Sequence, residues 1–326
     1  MLYYPFEKFE FNPQTCFLSG EKLNDPQHKT PVFSDWLMQA HGLHEKPFKL
    51  LDESIKTYGD LNLPCSPKVA QLLDQLDREI ETAFEGGIED VRALDSLRLF
   101  QWVGKSVYGL VYNEIALGMV QQQRIGEAMN FSQVLAHKFK NLHVMLQSLL
   151  HSMEFDGGHP FSIELFEVDH ETPVFQYRDE INTLVFSMRL GEVGVIACLQ
   201  DNGTNARYHR EIIEKVQCQR LHPIQFEELC GRFFYSAYLF NRLPEYLVME
   251  TPEKIFVEPM DLNMNETKPI FDYWQVKTYG QVLENFWKPW GFTLFEIIKD
   301  PERPMSFLLN EEDQIIRREE IALDLA

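Results

Sequence analysis

The hydrophobic period of this chain changes near Asp156-Gly157-Gly158-His159-Pro160, and the change restricts it to folds that combine helices with sheet. Upstream the period is helical. Ser66 is a favourable helix cap and Pro67 suits a first helical position. Val69, Leu72, Leu73, Leu76, Ile80, Ala83 and Phe84 then recur on one face until Gly86-Gly87 ends the run. A second helix is expected over residues 90–120, with Leu97, Phe100, Val103, Val107, Leu110, Val111 and Ile115 as its stripe. Gly104, Gly109 and Gly118 on it would let a neighbour approach closely. Residues 131–151 read as a third helix, and the three suggest an antiparallel helical layer.

Downstream, residues 161–166 alternate, residues 183–190 and 193–199 are rich in β-branched or large apolar side chains, and Asp201-Asn202-Gly203 is a turn signal. Residues 225–243 return to helix, dense in aromatics such as Phe226, Phe233, Phe234, Tyr235 and Tyr238, and a further helix is expected over 273–287. Residues 292–298 and 306–309 read as strands. The fold class expected is α+β, with one domain over residues 1–152 and a second, carrying antiparallel sheet and helices, over 153–326.

With 50 acidic against 30 basic residues, the net charge of −20 disfavours nucleic acid as a partner, because such binding draws its affinity from Lys and Arg neutralising phosphates. A local basic patch that includes Lys46, Lys49 and Lys56 is the exception the charge allows. Protein is the partner class left open. No apolar run reaches the length of a membrane span and the first residues lack a secretory pattern, so the expected compartment is the cytoplasm, with no membrane partner. The five cysteines are odd in number and irregularly spaced, which fits thiols rather than a disulfide framework.

Two of those cysteines stand in half-emptied metal-binding motifs. Cys16-Phe17-Leu18-Ser19-Gly20 and Cys65-Ser66-Pro67-Lys68 each keep the first cysteine of a Cys-x-x-Cys pair and have Ser19 or Lys68 at the second position. A structural zinc site needs four closed ligands, and two remain. Cys16 and Cys65 are then buried residues without a metal, members of a residual site recruiting His28, His41 or His44, or a redox-sensitive pair. Cys218, His222 and Cys230 have spacing that fits no closed zinc pattern. His143 and His151, eight apart, are read as a polar helix edge.

In order along the chain, residues 16–23, then Thr30-Pro31-Val32-Phe33-Ser34-Asp35-Trp36-Leu37 with His41-Gly42-Leu43, then residues 65–77 and 99–114 resemble a family of bacterial stand-alone HNH-endonuclease-like proteins. The likeness covers about a third of the chain. It implies a treble-clef N-terminal region: a knuckle, a hairpin and a second knuckle opening a helix. Carried over residue by residue it implies mostly losses. Ser19 and Lys68 stand at second-ligand positions, Pro31 at the general-base histidine, Thr30 at its acidic neighbour, and Val69 and Ala70 at the paired asparagines. Proline cannot take a proton from an attacking water.

The sequence therefore points to a degenerate, zinc-free treble-clef-like region followed by a helical layer and an α+β domain. The expected function is binding or structural, without catalytic residues, metal or cofactor. The alternative is a divergent metal-dependent nuclease or phosphodiesterase with relocated ligands, and a third is a small-molecule enzyme seated in the second domain. No Gly-x-Ser-x-Gly, phosphate-binding loop or Gly-x-Gly-x-x-Gly is present to support a common hydrolase or nucleotide-binding reading.

Overall fold

The computed structural model describes residues 1–126, 131–170, 174–263 and 267–324. Two compact units emerge, each made of separate stretches of chain. The first comprises Met1–Glu85, Leu94–Gly158 and Leu243–Met260, and the second Gly86–Ala93, His159–Arg242 and Asp261–Ala326. Both hold helices and sheet, so the chain is α+β. Among the described residues no helix is long and apolar enough to cross a membrane.

The first unit begins with short elements. A tight turn over residues 16–21 is closed by Gly20 N–H to Cys16 O at 3.0 Å and Cys16 N–H to Glu21 O at 2.8 Å. Strand Lys29–Pro31 then pairs antiparallel with Asn62–Pro64, and helix Asp35–Ala40 and the hairpin Pro47–Lys49/Ile55–Thr57 lie between them in sequence. Straight after Asn62–Pro64 the capped helix runs Pro67–Gly86. Ser66 Oγ accepts Val69 N–H at 3.5 Å, and the Ser66 carbonyl takes Ala70 N–H at 2.9 Å. Val69, Leu73, Leu76, Ile80 and Ala83 are its buried face, as the periodicity requires. Gly87 beyond it has φ +92°, a left-handed conformation that glycine adopts without strain.

The helix expected over 90–120 is instead two, Ile88–Ala93 and Ser96–Ile125. Asp95 breaks it by acting as a cap, its side chain accepting Leu97 N–H at 2.9 Å from an extended backbone. The second piece is buried on every face over residues 99–113, which makes it the axis of the unit. Its polar residues are tied down there: Asn113 Nδ2 donates to Asn62 O at 3.2 Å, Ser106 Oγ to Val32 O at 3.2 Å, and Gln101 Nε2 to Ser148 Oγ at 2.9 Å. The third helix is shorter than expected, Gln133–Leu146, with a 3-10 turn Gln147–Leu149. A three-stranded sheet of Tyr246–Glu250, Ile255–Pro259 and Met153–Phe155 completes the unit, its core made of Leu2, Val144, Ile255 and Val257.

In the second unit a five-stranded sheet is ordered Arg220–Leu221, Ser162–Val168, Val193–Cys198, Val185–Leu190, Phe175–Glu180. All its pairings are antiparallel except that of Arg220–Leu221 with Ser162–Val168. Helix Pro223–Leu239 packs on it, and Phe226 lies over the bare backbone of Gly194, where an added Cβ would come within 2.5 Å of the ring.

Two expected strands of this unit are absent. Residues 294–297 form a helical turn, because Thr293 and Glu296 make a capping box. Residues 306–309 form no ladder. The buried Glu228 carboxylate takes Phe307 N–H at 2.7 Å and Leu308 N–H at 3.1 Å instead, and Ser306 Oγ takes Leu309 N–H at 3.0 Å.

Close approach of the long helix to strand Lys29–Pro31 depends on Gly109. A Cβ there would lie 2.7 Å from Val32 Cγ2 and 2.8 Å from Cγ1. Gly109→Ala is expected to destabilise the first unit by about 1–3 kcal/mol through overpacking, read as a lower denaturation midpoint. Adding Val32→Ala should recover most of the loss, and if the two effects simply add, the contact is not the cause.

Candidate functional site

The tight turn and the helix start meet at a pair of thiols. Phe17 N–H donates to Pro64 O at 2.8 Å, which joins the residue after Cys16 to the residue before Cys65 and brings the two cysteines near each other. Both are free and fully buried. They lie close enough to act on each other's protonation, Cys16 sulfur is met by the Ser19 hydroxyl and the Ser19 and Ser66 backbone N–H groups, and Cys65 Sγ donates to Ser66 O at 3.5 Å. A sulfur facing that many donors is favoured as the anion. The bond from Cys65, followed by those from Ser19 and Ser66, pulls the Cys16 thiol down to about 5, against the upward push of burial. Cys65 is pushed up by the same contact and by burial, and stays the protonated partner.

Ser19, at the second position of the first motif, is half-buried and donates to Cys16 rather than standing clear as a ligand, while its oxygen accepts Glu21 N–H at 3.3 Å. Lys68, at the second position of the other motif, is exposed. The cation that acts on Cys65 is Lys105 of the long helix. Its ammonium is 1% exposed, 3.9 Å from Asp77, and makes no hydrogen bond among the described residues. Asp77 in turn accepts from Ser34 Oγ at 2.7 Å, and Ser34 Oγ accepts from Trp102 Nε1 at 2.9 Å. Pro31 lies in its strand opposite Asn62, and Thr30 beside it is buried opposite Leu63. Val69 is buried and Ala70 half-buried on the capped helix. His28 is exposed, and His41 and His44 are half-buried. Among the described residues no three His, Cys, Asp or Glu side chains gather to hold a metal ion. Two thiols supply only half of the four ligands that a closed tetrahedral zinc site needs.

His143 is not the polar helix edge expected from its spacing. It is fully buried, with Nε2 2.7 Å from Phe17 O and Nδ1 3.3 Å from Gln147 Nε2. The neutral ring that donates to one and accepts from the other ties the 16–21 turn to helix Gln133–Leu146. Neither Lys105 nor His143 was singled out as part of the site from sequence. The available signal for Lys105 is a single lysine inside the apolar run 99–112.

In the second unit, a hydrogen-bonded chain runs from Ser162 through Asp201, Asn205 and Ser236 to His209, with His209 Nε2 2.9 Å from Ser236 Oγ. It has the composition of a nucleophilic relay, but Ser236 is 0% exposed, so no substrate reaches the hydroxyl. Beside it, a cavity of about 360 Å³ is lined by Tyr208, His209, Glu211, Lys215, Arg232 and Trp274 among others. Lys215 is paired with Glu211 at 2.7 Å and Arg232 with Glu228 at 2.9 Å. Burial, with the Arg232 charge adding to it, pulls His209 down to about 3, so it stays neutral. Cys230 is buried in the core of this unit, Cys218 is exposed, and His222 caps helix Pro223–Leu239, so these three form no shared site.

Burial pulls His143 down from its ordinary 6.5 to about 4, which makes it a pH-dependent fastener. Between those values the unfolded chain binds a proton that the folded chain refuses. Its contribution is therefore full above pH 6.5 and declines as the pH falls toward 4, by about 3 kcal/mol in all. Denaturation of the wild type and of His143→Gln between pH 4 and 7 is expected to show a steeper fall for the wild type, and parallel curves would contradict the assignment. Comparison of the chain with protein-family models, with curated proteins and with solved structures returned no match.

Proposed function

We propose that the first unit carries a zinc-free relic of an HNH-type treble clef, and that the protein acts by binding or as a structural element rather than by cleaving phosphodiesters. The observation that supports this most directly is the Cys16–Cys65 contact. A knuckle-like turn, an antiparallel strand pair and a helix start converge on those two thiols, as they would on a metal. Hydrogen-bond donors from Ser19 and Ser66, with the Cys65 thiol beside them, now surround the Cys16 sulfur. The base position is held by Pro31, which has neither a proton acceptor on its side chain nor a backbone N–H.

Loss of zinc removes a term on the order of 10 kcal/mol in an isolated finger. Here strand Asn62–Pro64 packs against the buried axis Ser96–Ile125, and the capped helix meets that axis through the Phe84–Trp102 ring contact and the Arg98–Glu79 ion pair. That packing is the replacement we assign. The net charge of −20 favours a protein partner over nucleic acid. The alternative of a nuclease with relocated ligands has no ligand set among the described residues to rest on.

The test is elemental analysis for Zn, Mn, Fe and Ni on untagged protein purified without chelator, together with DNA and RNA cleavage assays in Mg²⁺ and Mn²⁺. We expect metal far below one equivalent and no cleavage above the buffer control. A whole equivalent that disappears on Cys16→Ala or Cys65→Ala, or cleavage that requires it, would overturn the proposal.

A further inference from the structure

Disulfide formation requires two sulfurs in a restricted geometry, a nucleophilic one and a protonated one that can follow it. The two segments bearing Cys16 and Cys65 are held in register by the Phe17 N–H to Pro64 O bond at 2.8 Å, and Cys65 N–H is fixed separately to His28 O at 3.1 Å. The bond between Phe17 and Pro64 joins the residue after Cys16 to the residue before Cys65, so the two cysteines flank one backbone contact. The two thiols lie close enough to act on each other's protonation, so they are already neighbours in the folded chain.

We infer that Cys16 and Cys65 form a peroxide-responsive dithiol, with Cys16 the attacking sulfur and Cys65 the resolving one. This assignment rests on the geometry of the pair and not on the ancestry of the fold. The roles follow from the donors around each sulfur. Cys16 is surrounded by Ser19 and Ser66 donors that stabilise its thiolate. Cys65 Sγ donates to the Ser66 carbonyl at 3.5 Å, and burial with the neighbouring Cys16 keeps it protonated. Both are buried, so the oxidant must be small and must enter when the 16–21 turn opens.

In the first step the Cys16 thiolate attacks one oxygen of hydrogen peroxide. The O–O bond breaks, hydroxide leaves and is protonated to water, and Cys16 becomes a sulfenic acid. In the second step Cys65 sulfur attacks Cys16 sulfur, the S–O bond breaks, and the departing hydroxyl leaves as water with the Cys65 proton. The pair loses two electrons and two protons, and one peroxide is reduced to two waters. The bond formed would close covalently the junction between turn and helix.

The reduced full-length protein, freed of reductant, is treated with a few equivalents of hydrogen peroxide, and its intact mass and non-reducing peptide map are measured. We expect an intact mass about 2 Da lower, a peptide linking Cys16 to Cys65, and full reversal by dithiothreitol. Cys65→Ser should stop at a sulfenic acid on Cys16 that a dimedone probe captures, and Cys16→Ser should form no intrachain link. No mass loss, a link through the exposed Cys218 between two copies, or irreversible oxidation of Cys16 without a link would overturn the inference. Should either serine variant fail to fold by circular dichroism, the wild-type map decides alone, since it identifies the linked cysteines directly.

Discussion

The hydrogen bonds that converge on Cys16 sulfur hold the first unit's beginning together. Ser19 from the turn and Ser66 from the helix start donate to it and the Cys65 thiol lies near it, so one buried atom links two segments that are far apart in sequence. Backbone bonds extend that junction in both directions, through Phe17 to Pro64 and Cys65 to His28. Phe17 O is then held by His143, which brings in helix Gln133–Leu146. A metal would supply the same convergence by coordination. Here partial charges on N–H, O–H and S–H groups supply it, which is effective because a charged acceptor in a dry site strengthens each bond.

The second unit solves a similar problem with a carboxylate. Glu228, fully buried, accepts from Arg232 at 2.9 Å, Ser306 Oγ at 2.8 Å, and the N–H groups of Phe307 and Leu308 at 2.7 and 3.1 Å. The returning chain segment is thus anchored to helix Pro223–Leu239 without a β-ladder. Burying a single charge is costly unless its lone pairs are filled, and these are filled by an opposite charge and by three donors. The aromatic richness of the sequence is spent on packing nearby: Tyr235, Trp274 and Tyr279 contact one another, and the Arg232 guanidinium lies 5.7 Å from the centre of the Tyr279 ring.

What could be read from the sequence was local. Helix Pro67–Gly86 carries its cap, its proline, its stripe and its terminating glycines within its own residues, and its bounds follow from them. The break at Asp95 was hidden because the apolar stripe continues on both sides of it, and an aspartate at a cap looks like a surface acid until its own backbone is extended. Thr293 and Glu296 did carry a local capping signal, which the β-favouring aromatic composition around them obscured. Residues 306–309 were not legible at all, since Glu228, which takes the Phe307 and Leu308 N–H groups, lies 78 residues from Ser306. The same distinction applies to the thiol site. The missing second ligands are visible in the sequence at Ser19 and Lys68. Lys105 and His143 acquire their parts only from partners that folding brings to them.

The central claim is that hydrogen-bond donors, with no metal, keep Cys16 anionic inside the folded unit. Thiolate ultraviolet absorbance, titrated against pH as the difference between wild type and Cys16→Ser after chelator treatment, tests it directly. The account predicts a midpoint near pH 5 that chelation leaves in place. A midpoint in the ordinary thiol range of about 8–9, or a low one that chelator abolishes, would contradict it.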